Sequence, residues 1–156
     1  MIKKILIANR GEIACRIIRA CKEMSVASVS VYSEVDVNSP HVNMADETVC
    51  IGPANPAESY LNFEKIIDAA KSTSSDAIHP GYGFLSENGD FAEYVADSGL
   101  IFIGPSPETI KVMGDKAESK KMMEEAGVPT IPGHDGELSG NIDSIAKEIG
   151  FPLMVK

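Results

Sequence analysis

The sequence has few cysteines, few basic residues and no long apolar run. It carries 3 cysteines in 156 residues, and its 14 basic residues against 23 acidic ones give a net charge of −9. Such a surface repels phosphate backbones and anionic headgroups, so nucleic acid and membrane surfaces are not expected partners. No apolar run approaches the roughly 20 residues that cross a bilayer. A small anionic ligand stays compatible with this charge, because a pocket can be locally positive.

The cysteines do not suggest a disulfide framework. Cys15 and Cys21 are separated by about 9 Å along a helix, at about 1.5 Å per residue, which exceeds the reach of a disulfide. We therefore expect buried, reduced thiols and a cytoplasmic location. The apolar run Ile5–Ala8 is too short for a secretory signal. The three histidines lack the spacing of a metal site: His41, His79 and His134.

Short apolar segments alternate with segments of helical periodicity over the first 104 residues. This pattern predicts strands at 3–8, 26–32, 46–51, 76–79 and 100–103, and helices at 11–24, 63–71 and 87–98. Helices of this length between strands imply right-handed crossovers and a parallel sheet. The predicted fold class is α/β with a doubly wound, Rossmann-like parallel sheet. We expect Asn9 to cap the first helix, and Glu87 to begin the helix at 87–98.

After residue 104 the pattern changes to consecutive helices, predicted at 107–113, 116–126 and 141–149. A final strand is predicted at 151–156, and the sequence offers no neighbouring strand for it to pair with. We therefore expect the last fifty residues to open a second domain that continues beyond this sequence.

The segment His79–Asn88, HPGYGFLSEN, is the strongest local signal for a site. It follows a predicted strand, and ligands of open parallel sheets bind outside the carboxyl ends of the strands. Gly81 and Gly83 flank Tyr82, whose ring and hydroxyl suit a small planar ligand. The alternative is a structural turn with Tyr82 packed on a helix.

The turn at residues 8–12 occupies the position of a dinucleotide-binding fingerprint. It has one glycine where that fingerprint has three, and the bulky Arg10 and acidic Glu12 stand beside it. These residues disfavour binding of NAD, because a pyrophosphate needs close approach to the backbone.

Two lysines are candidates for contact with a phosphate. Lys116 follows Gly114 and Asp115 at the start of a predicted helix, where it either reaches a phosphate or an adenine edge or stays exposed. Lys156 ends the last apolar segment, where it either points into a cleft or forms an exposed terminus.

One side of the predicted first helix carries a stripe of charged residues. Glu12, Arg16, Arg19 and Glu23 share one side at the i, i+4, i+7, i+11 spacing. This stripe is either a solvent-exposed face or an isologous dimer contact, in which Arg19 meets the partner's Glu23.

Five segments together resemble one family, the biotin carboxylases. They are KKILIANRGEIACRIIRACKE, HVNMADETVCIG, AIHPGYGFLSEN, FIGPSPETIKVMGDK and GVPTIPG. The resemblance runs through all 156 residues in order and corresponds to about the first third of the family's catalytic unit.

The resemblance implies a pre-ATP-grasp domain at residues 1–114 and the beginning of an ATP-grasp domain at 115–156. It also implies an ATP-dependent ligase that uses Mg²⁺, activates bicarbonate as carboxyphosphate and carboxylates biotin on a carrier protein. The implied partners are the biotin carboxyl carrier protein, a carboxyltransferase and a second copy of the chain.

The same resemblance assigns roles to individual residues. Lys116 and Lys156 match residues that bind ATP, and Tyr82 and Gly83 match the loop of the biotin pocket. The homodimer contact is assigned to the first helix, through Arg16, Arg19 and Glu23. The catalytic residues and the magnesium ligands of the family lie beyond Lys156, so we expect the chain alone to be inactive.

Three other functions remain as alternatives. They are a dinucleotide-binding oxidoreductase domain, a non-catalytic α/β binding module, and another ATP-grasp ligase such as a carbamoyl-phosphate-forming enzyme. The HPGYGFLSEN and MGDK motifs together favour biotin over ammonia as the acceptor, and they leave the final carboxyl acceptor open.

Overall fold

The computed structural model describes residues 1–131, 133–134 and 142–153, and of Lys116 it describes the backbone alone. The chain forms two compact units, Met1–Lys111 and Val112–Lys156. The first unit is built on a β-sheet, and the described part of the second unit is helical.

The sheet of the first unit has five parallel strands in the order β3-β2-β1-β4-β5. The strands are β1 (Lys4–Ile7), β2 (Ala27–Ser33), β3 (Glu47–Gly52), β4 (Ala77–His79) and β5 (Ile101–Phe102). The helices are α1 (Gly11–Glu23), α2 (Pro40–Met44), α3 (Phe63–Ser72), α4 (Gly89–Asp97) and α5 (Pro107–Gly114), the last of which crosses into the second unit. The predicted α/β class with a parallel sheet is confirmed.

The two faces of the sheet are both covered, which makes the fold doubly wound. Leu6 and Ala8 belong to a core on one face together with residues of α3 and α4. Ile5 and Ile7 belong to a second core with residues of α1. Each fully buried Leu or Ile side chain contributes about 1.5–3 kcal/mol relative to an exposed one. Alternate residues of a single strand therefore support both layers.

The strand order reverses between β1, the central strand, and its neighbour β4. Their carboxyl ends lie side by side, with Ile7 in register with His79. The Ala8 amide extends the ladder by donating to the His79 carbonyl at 2.9 Å. In an open parallel sheet, this reversal is where the loops diverge and leave a crevice for ligands.

Three local predictions are wrong. Cys50 is exposed because it lies on β3, which is an edge strand of the sheet. Arg10, rather than Asn9, occupies the N-cap position of α1, and no side chain caps that helix. Glu87 ends a short 3-10 helix, Phe84–Glu87, and Asn88 caps α4 by accepting from the Phe91 amide at 2.9 Å.

The described part of the second unit contains helices α6 (Lys116–Glu125) and α7 (Ile142–Ile149). Asp115 caps α6, since its carboxylate accepts from the amides of Ala117 and Glu118 at 2.9 and 3.1 Å. The strand predicted at 151–156 is wrong over 151–153, which form no strand, and residues 154–156 lie outside the described part. A strand needs a hydrogen-bonded neighbour, and the described part of this unit holds none.

Candidate functional site at the carboxyl edge of the sheet

The loop that follows β4, residues 79–88, has an unusual backbone, and we call it the switch-point loop. Gly81 and Gly83 have φ of 70° and 64°, and Phe84 has φ of 46°. A Cβ atom added to Gly81 would lie 2.8 Å from Nδ2 of Asn9. Glycine is needed at 81 both for its positive φ and for this close approach.

Asn9 holds the switch-point loop against β1. Its Nδ2 donates to the carbonyls of Pro80 and Tyr82 at 2.7 and 2.9 Å, and its Oδ1 accepts from the Arg10 amide at 2.9 Å. The side chain is 3% exposed and occupies the crevice between the two central strands. In dinucleotide-binding folds the pyrophosphate lies at this crevice. This arrangement adds to the missing glycines as an argument against NAD binding.

His79 braces the start of the same loop. Its Nδ1 accepts from the Gly81 amide at 3.0 Å. Burial lowers the pKa of His79, which agrees with a neutral ring that offers Nδ1 as an acceptor. The ring therefore has a structural hydrogen bond, as expected of a satisfied histidine.

Tyr82 is presented to solvent by the switch-point loop. Its side chain is 62% exposed, and its hydroxyl donates to Oε2 of Glu12 on α1 at 2.9 Å. This hydrogen bond raises the pKa of Tyr82 above its usual value. The contact fixes the tip of the side chain while the ring keeps a face open to a planar ligand.

A network of four residues lies on the neighbouring loops at the same edge of the sheet, and we call it the buried network because Ser33, Asp36 and Tyr60 are buried. Its fourth member, Arg10, is exposed to solvent on one side. The Asp36 carboxylate pairs with the Arg10 guanidinium through two hydrogen bonds, one of them from Nε at 2.9 Å. It also accepts from Ser33 Oγ at 2.9 Å and from the Tyr60 hydroxyl at 2.8 Å. The network joins the loops that follow β1, β2 and β3.

The hydrogen bonds of this network shift two pKa values. Burial alone would raise the pKa of Asp36, but donors from Arg10, Tyr60 and Ser33 outweigh it and lower the pKa to about 2. Burial, with the adjacent Asp36 carboxylate, raises the pKa of Tyr60 to about 12. Asp36 is therefore a carboxylate and Tyr60 a neutral phenol across the physiological range.

The charged stripe of α1 is exposed, with Arg16, Arg19 and Glu23 all facing solvent. Beside it, a cavity of about 900 Å³ runs along α1, and both Arg16 and Tyr82 line it. Met24, at the end of the helix, is 72% exposed and lines the same cavity. The structure thus brings the predicted dimer stripe and the predicted biotin loop to one side of the first unit.

Of the two candidate ATP lysines, the structure describes only the backbone of one. Lys116 is the first residue of α6, as predicted, and its side chain lies outside the described part of the structure. Lys156 lies outside the described residues altogether. Their roles stay predictions.

Neither a metal site nor a membrane span is found in what the structure describes. Within residues 1–131, 133–134 and 142–153, no group of three His, Cys, Asp or Glu side chains could hold a metal ion. Among the same residues, no helix has both the length and the apolar character needed to cross a membrane.

The sequence of the first unit matches one family model. The model for the N-terminal domain of biotin carboxylase matches residues 1–110. This chain belongs to the biotin carboxylase family. The resemblance carried by the sequence motifs is confirmed, and the switch-point loop and α1 are elements of the family's N-terminal domain.

Curated relatives extend the biotin carboxylase match to the whole chain. A biotin carboxylase of Allochromatium vinosum is 58% identical over 159 residues, which cover 100% of this chain and 35% of that protein. The mitochondrial propionyl-CoA carboxylase alpha chain of Sus scrofa is 55% identical and covers 98% of this chain, which spans 21% of that protein. The chain thus corresponds to the N-terminal part of these carboxylases.

A solved structure shows the same fold. The biotin carboxylase domain dimer of Hydrogenobacter thermophilus 2-oxoglutarate carboxylase, in complex with MgADP, ADP and bicarbonate, has a TM-score of 0.88 at 54% identity. That match covers 97% of this chain and 34% of the solved one. The first unit therefore has the fold of a biotin carboxylase domain.

Proposed function

We propose that the chain is the N-terminal part of an enzyme that carboxylates biotin. The enzyme uses ATP to activate bicarbonate as carboxyphosphate and transfers the carboxyl group to biotin on a carrier protein. A carboxyltransferase then passes it to the final acceptor. The observation that carries this proposal is the switch-point loop, which Asn9 and Glu12 hold with Tyr82 exposed beside Gly83. The 58% identity to part of a biotin carboxylase, over the full length of this chain, supports it.

In this proposal Tyr82 and Gly83 contribute to the biotin pocket. The open face of the Tyr82 ring suits the flat ureido ring of biotin, and the hydroxyl is already oriented by Glu12. Gly83, with φ of 64° and no side chain, allows a ligand to approach the backbone closely. Both residues bind and orient the acceptor, and neither moves a proton or a phosphoryl group.

The ATP site belongs to the second part of the proposal. Residues 1–114 form the pre-ATP-grasp domain, residues 115–156 begin the ATP-grasp domain, and Lys116 and Lys156 bind the phosphates of ATP. A lysine that meets the phosphates balances negative charge as it develops in phosphoryl transfer. Magnesium would add further positive charge there, and the family resemblance implies that its ligands lie beyond Lys156.

The decisive experiment measures ATP hydrolysis that depends on both bicarbonate and biotin. We expect the full-length enzyme carrying this chain to show it, and the 156-residue chain alone to lack it. Turnover by the isolated chain near that of the full-length enzyme would contradict the expectation that this chain alone is inactive. A full-length enzyme without biotin dependence would contradict the function itself.

A lysine variant tests the ATP assignment. In the full-length enzyme, Lys116→Ala should weaken ATP binding, because one positive charge at the phosphates is lost. The matched control is Lys121→Ala, which removes an exposed lysine from the same helix, α6. Unchanged nucleotide affinity in the first variant, or equal loss in both, would remove the role assigned to Lys116.

Charge reversal tests the proposed homodimer through α1. If Arg19 meets the partner's Glu23, Arg19→Glu places two carboxylates together and should favour monomers in sedimentation experiments. Combining it with Glu23→Arg restores opposite charges across the isologous contact and should restore the dimer. Dimers that persist in the single variant, or monomers that persist in the double variant, would contradict this contact.

A further inference from the structure

A stacked pair of rings connects the buried network to the switch-point loop. The rings of Tyr60 and Phe84 lie 5.4 Å apart between centroids and 2° from parallel. Tyr60 is 2% exposed, whereas Phe84 is 39% exposed. One ring of the pair therefore belongs to the core, and the other belongs to the loop directly after Gly83.

Phe84 needs an external contact to keep its conformation. Its φ of 46° lies in the left-handed region, which is unfavourable for a residue with a bulky side chain. Strain of this kind persists only where surrounding contacts impose it. The stack on Tyr60 is such a contact, because displacement of the ring would separate the two faces.

Tyr60 is itself held by the rest of the network. Its hydroxyl donates to Asp36 at 2.8 Å and accepts from the Ser33 amide at 3.0 Å. The guanidinium carbon of Arg10 lies 5.9 Å from the centre of its ring. The core ring of the pair is therefore restrained at its hydroxyl end, and it presents a fixed face to Phe84.

The segment that precedes Gly83 is held by contacts that do not involve the Tyr60–Phe84 stack. Asn9 hydrogen-bonds the carbonyls of Pro80 and Tyr82, and the Gly83 carbonyl accepts from the Ser86 amide at 3.0 Å. Gly83 thus lies between a segment fixed by Asn9 and a residue fixed by Tyr60. A glycine of this freedom would otherwise sample many conformations.

We propose that Tyr60 is a positioning residue for biotin. Its ring fixes Phe84, and through Phe84 it fixes the backbone of Gly83 at the biotin pocket. The inference rests on the proposed function, because it requires that Gly83 contacts biotin. Tyr60 does not touch biotin, so its removal should impair the acceptor and leave the nucleotide unaffected.

The test measures KM for free biotin and KM for ATP in the full-length enzyme. Tyr60→Leu and Phe84→Leu each remove one half of the stack, and each should raise KM for biotin about 3- to 10-fold, the range that a stacked aromatic pair contributes. KM for ATP should stay within about 2-fold of the unaltered enzyme. Phe84→Leu keeps the test decisive if Tyr60→Leu does not fold, because Phe84 is outside the core.

Two further variants separate positioning from stability. Tyr60→Phe loses the hydroxyl bonds but keeps the stacked ring, so its rise in KM for biotin should be smaller than that of Tyr60→Leu. Tyr94→Leu disrupts another aromatic pair, with Phe63 at 5.9 Å, in which neither ring belongs to the stack, and it should leave both KM values unchanged.

The outcomes are distinguishable. A rise in KM for biotin that is confined to the two stack variants supports the positioning role. A biotin KM unchanged in both stack variants, an equal rise in KM for ATP, or an equal effect in Tyr94→Leu overturns it while the proposed function stands. Absence of biotin-dependent hydrolysis in the unaltered enzyme overturns the proposed function and the inference with it.

Discussion

Two groups of opposite charges in the first unit have similar contact distances but different surroundings. In the buried network the Asp36 side chain is 7% exposed and accepts hydrogen bonds from the side chains of Arg10, Ser33 and Tyr60. In the exposed cluster, Lys111 pairs with Asp90 at 2.8 Å and with Glu93 at 3.0 Å, and these side chains are 47%, 78% and 59% exposed. Contact distance alone therefore does not show which group contributes more to stability. Solvent screens the exposed cluster, whereas loss of one member of the buried network leaves polar groups without partners.

The largest effect is expected from Asp36→Ala. It removes the carboxylate shared by Arg10, Ser33 and Tyr60, and should lower the free energy of unfolding by about 3 kcal/mol. This value is at the low end for a buried pair, because the Arg10 side chain is 47% exposed and water can solvate it. Urea denaturation followed by circular dichroism measures the change. A loss of unfolding free energy no larger than that of Asp90→Ala would contradict the proposed difference between the two groups.

Lowering the pH should reveal the same difference in stability between the buried network and the exposed cluster, without truncation of a side chain. Asp36 has its pKa lowered from 3.8 to about 2 by folding, so its contribution is complete above pH 4 and is lost as pH falls through about 2. The loss is about 2 kcal/mol. Asp36→Asn should flatten the dependence of unfolding free energy on pH in this window. Asp90→Asn, in the exposed cluster, is the control, and an equal flattening there would contradict the assignment to Asp36.

Removing one hydroxyl of the buried network should have a smaller effect. Tyr60→Phe keeps the ring but takes one donor from Asp36 and the acceptor of the Ser33 amide. The expected loss is about 1 kcal/mol in unfolding free energy, measured by urea denaturation at neutral pH. A variant as stable as the parent would show that water replaces the hydroxyl in this network.

The smallest effect is expected in the exposed cluster. Lys111→Ala removes both of its ion pairs, yet the urea midpoint should not shift measurably, because solvent screens each pair. The hydrogen bonds from Lys111 to Asp90 and Glu93 raise the pKa of Lys111, so the pairs exist throughout the neutral range. A midpoint shift as large as that of Tyr60→Phe would show that the cluster behaves as a network rather than as screened pairs.

The strands were easier to predict than the polar contacts. The apolar segment 3–8 predicted β1 because buried parallel strands are apolar on both faces. Segment 26–32 predicted β2 because β-branched residues recur at alternate positions. The five-residue helix α2 was missed, since so short a segment shows no helical period. The exposure of Cys50 followed from the edge position of β3, which depends on strand order and not on the strand's own residues.

The switch-point loop was found, but the residues that hold it were not. Glycines at 81 and 83 after an apolar strand are a local signal. Asn9 meets this loop across 71 and 73 residues of sequence, and Asp36 meets Tyr60 across 24. No spacing rule links residues so far apart. The one local signal is a polar residue directly after a buried strand, and this pattern predicts a helix cap rather than a contact with a distant loop.

The sequence by itself determined the parallel α/β fold, the family and the loop at the end of β4, because apolar periodicity and local motifs are encoded over a few residues. The tertiary structure decided which polar side chains meet at the carboxyl edge of the sheet. It brought Asn9 into the crevice, buried Asp36 among hydrogen-bond donors from several loops and stacked Tyr60 on Phe84. The reason is topological: loops distant in sequence become neighbours only when the strands that carry them pair in the order 3-2-1-4-5.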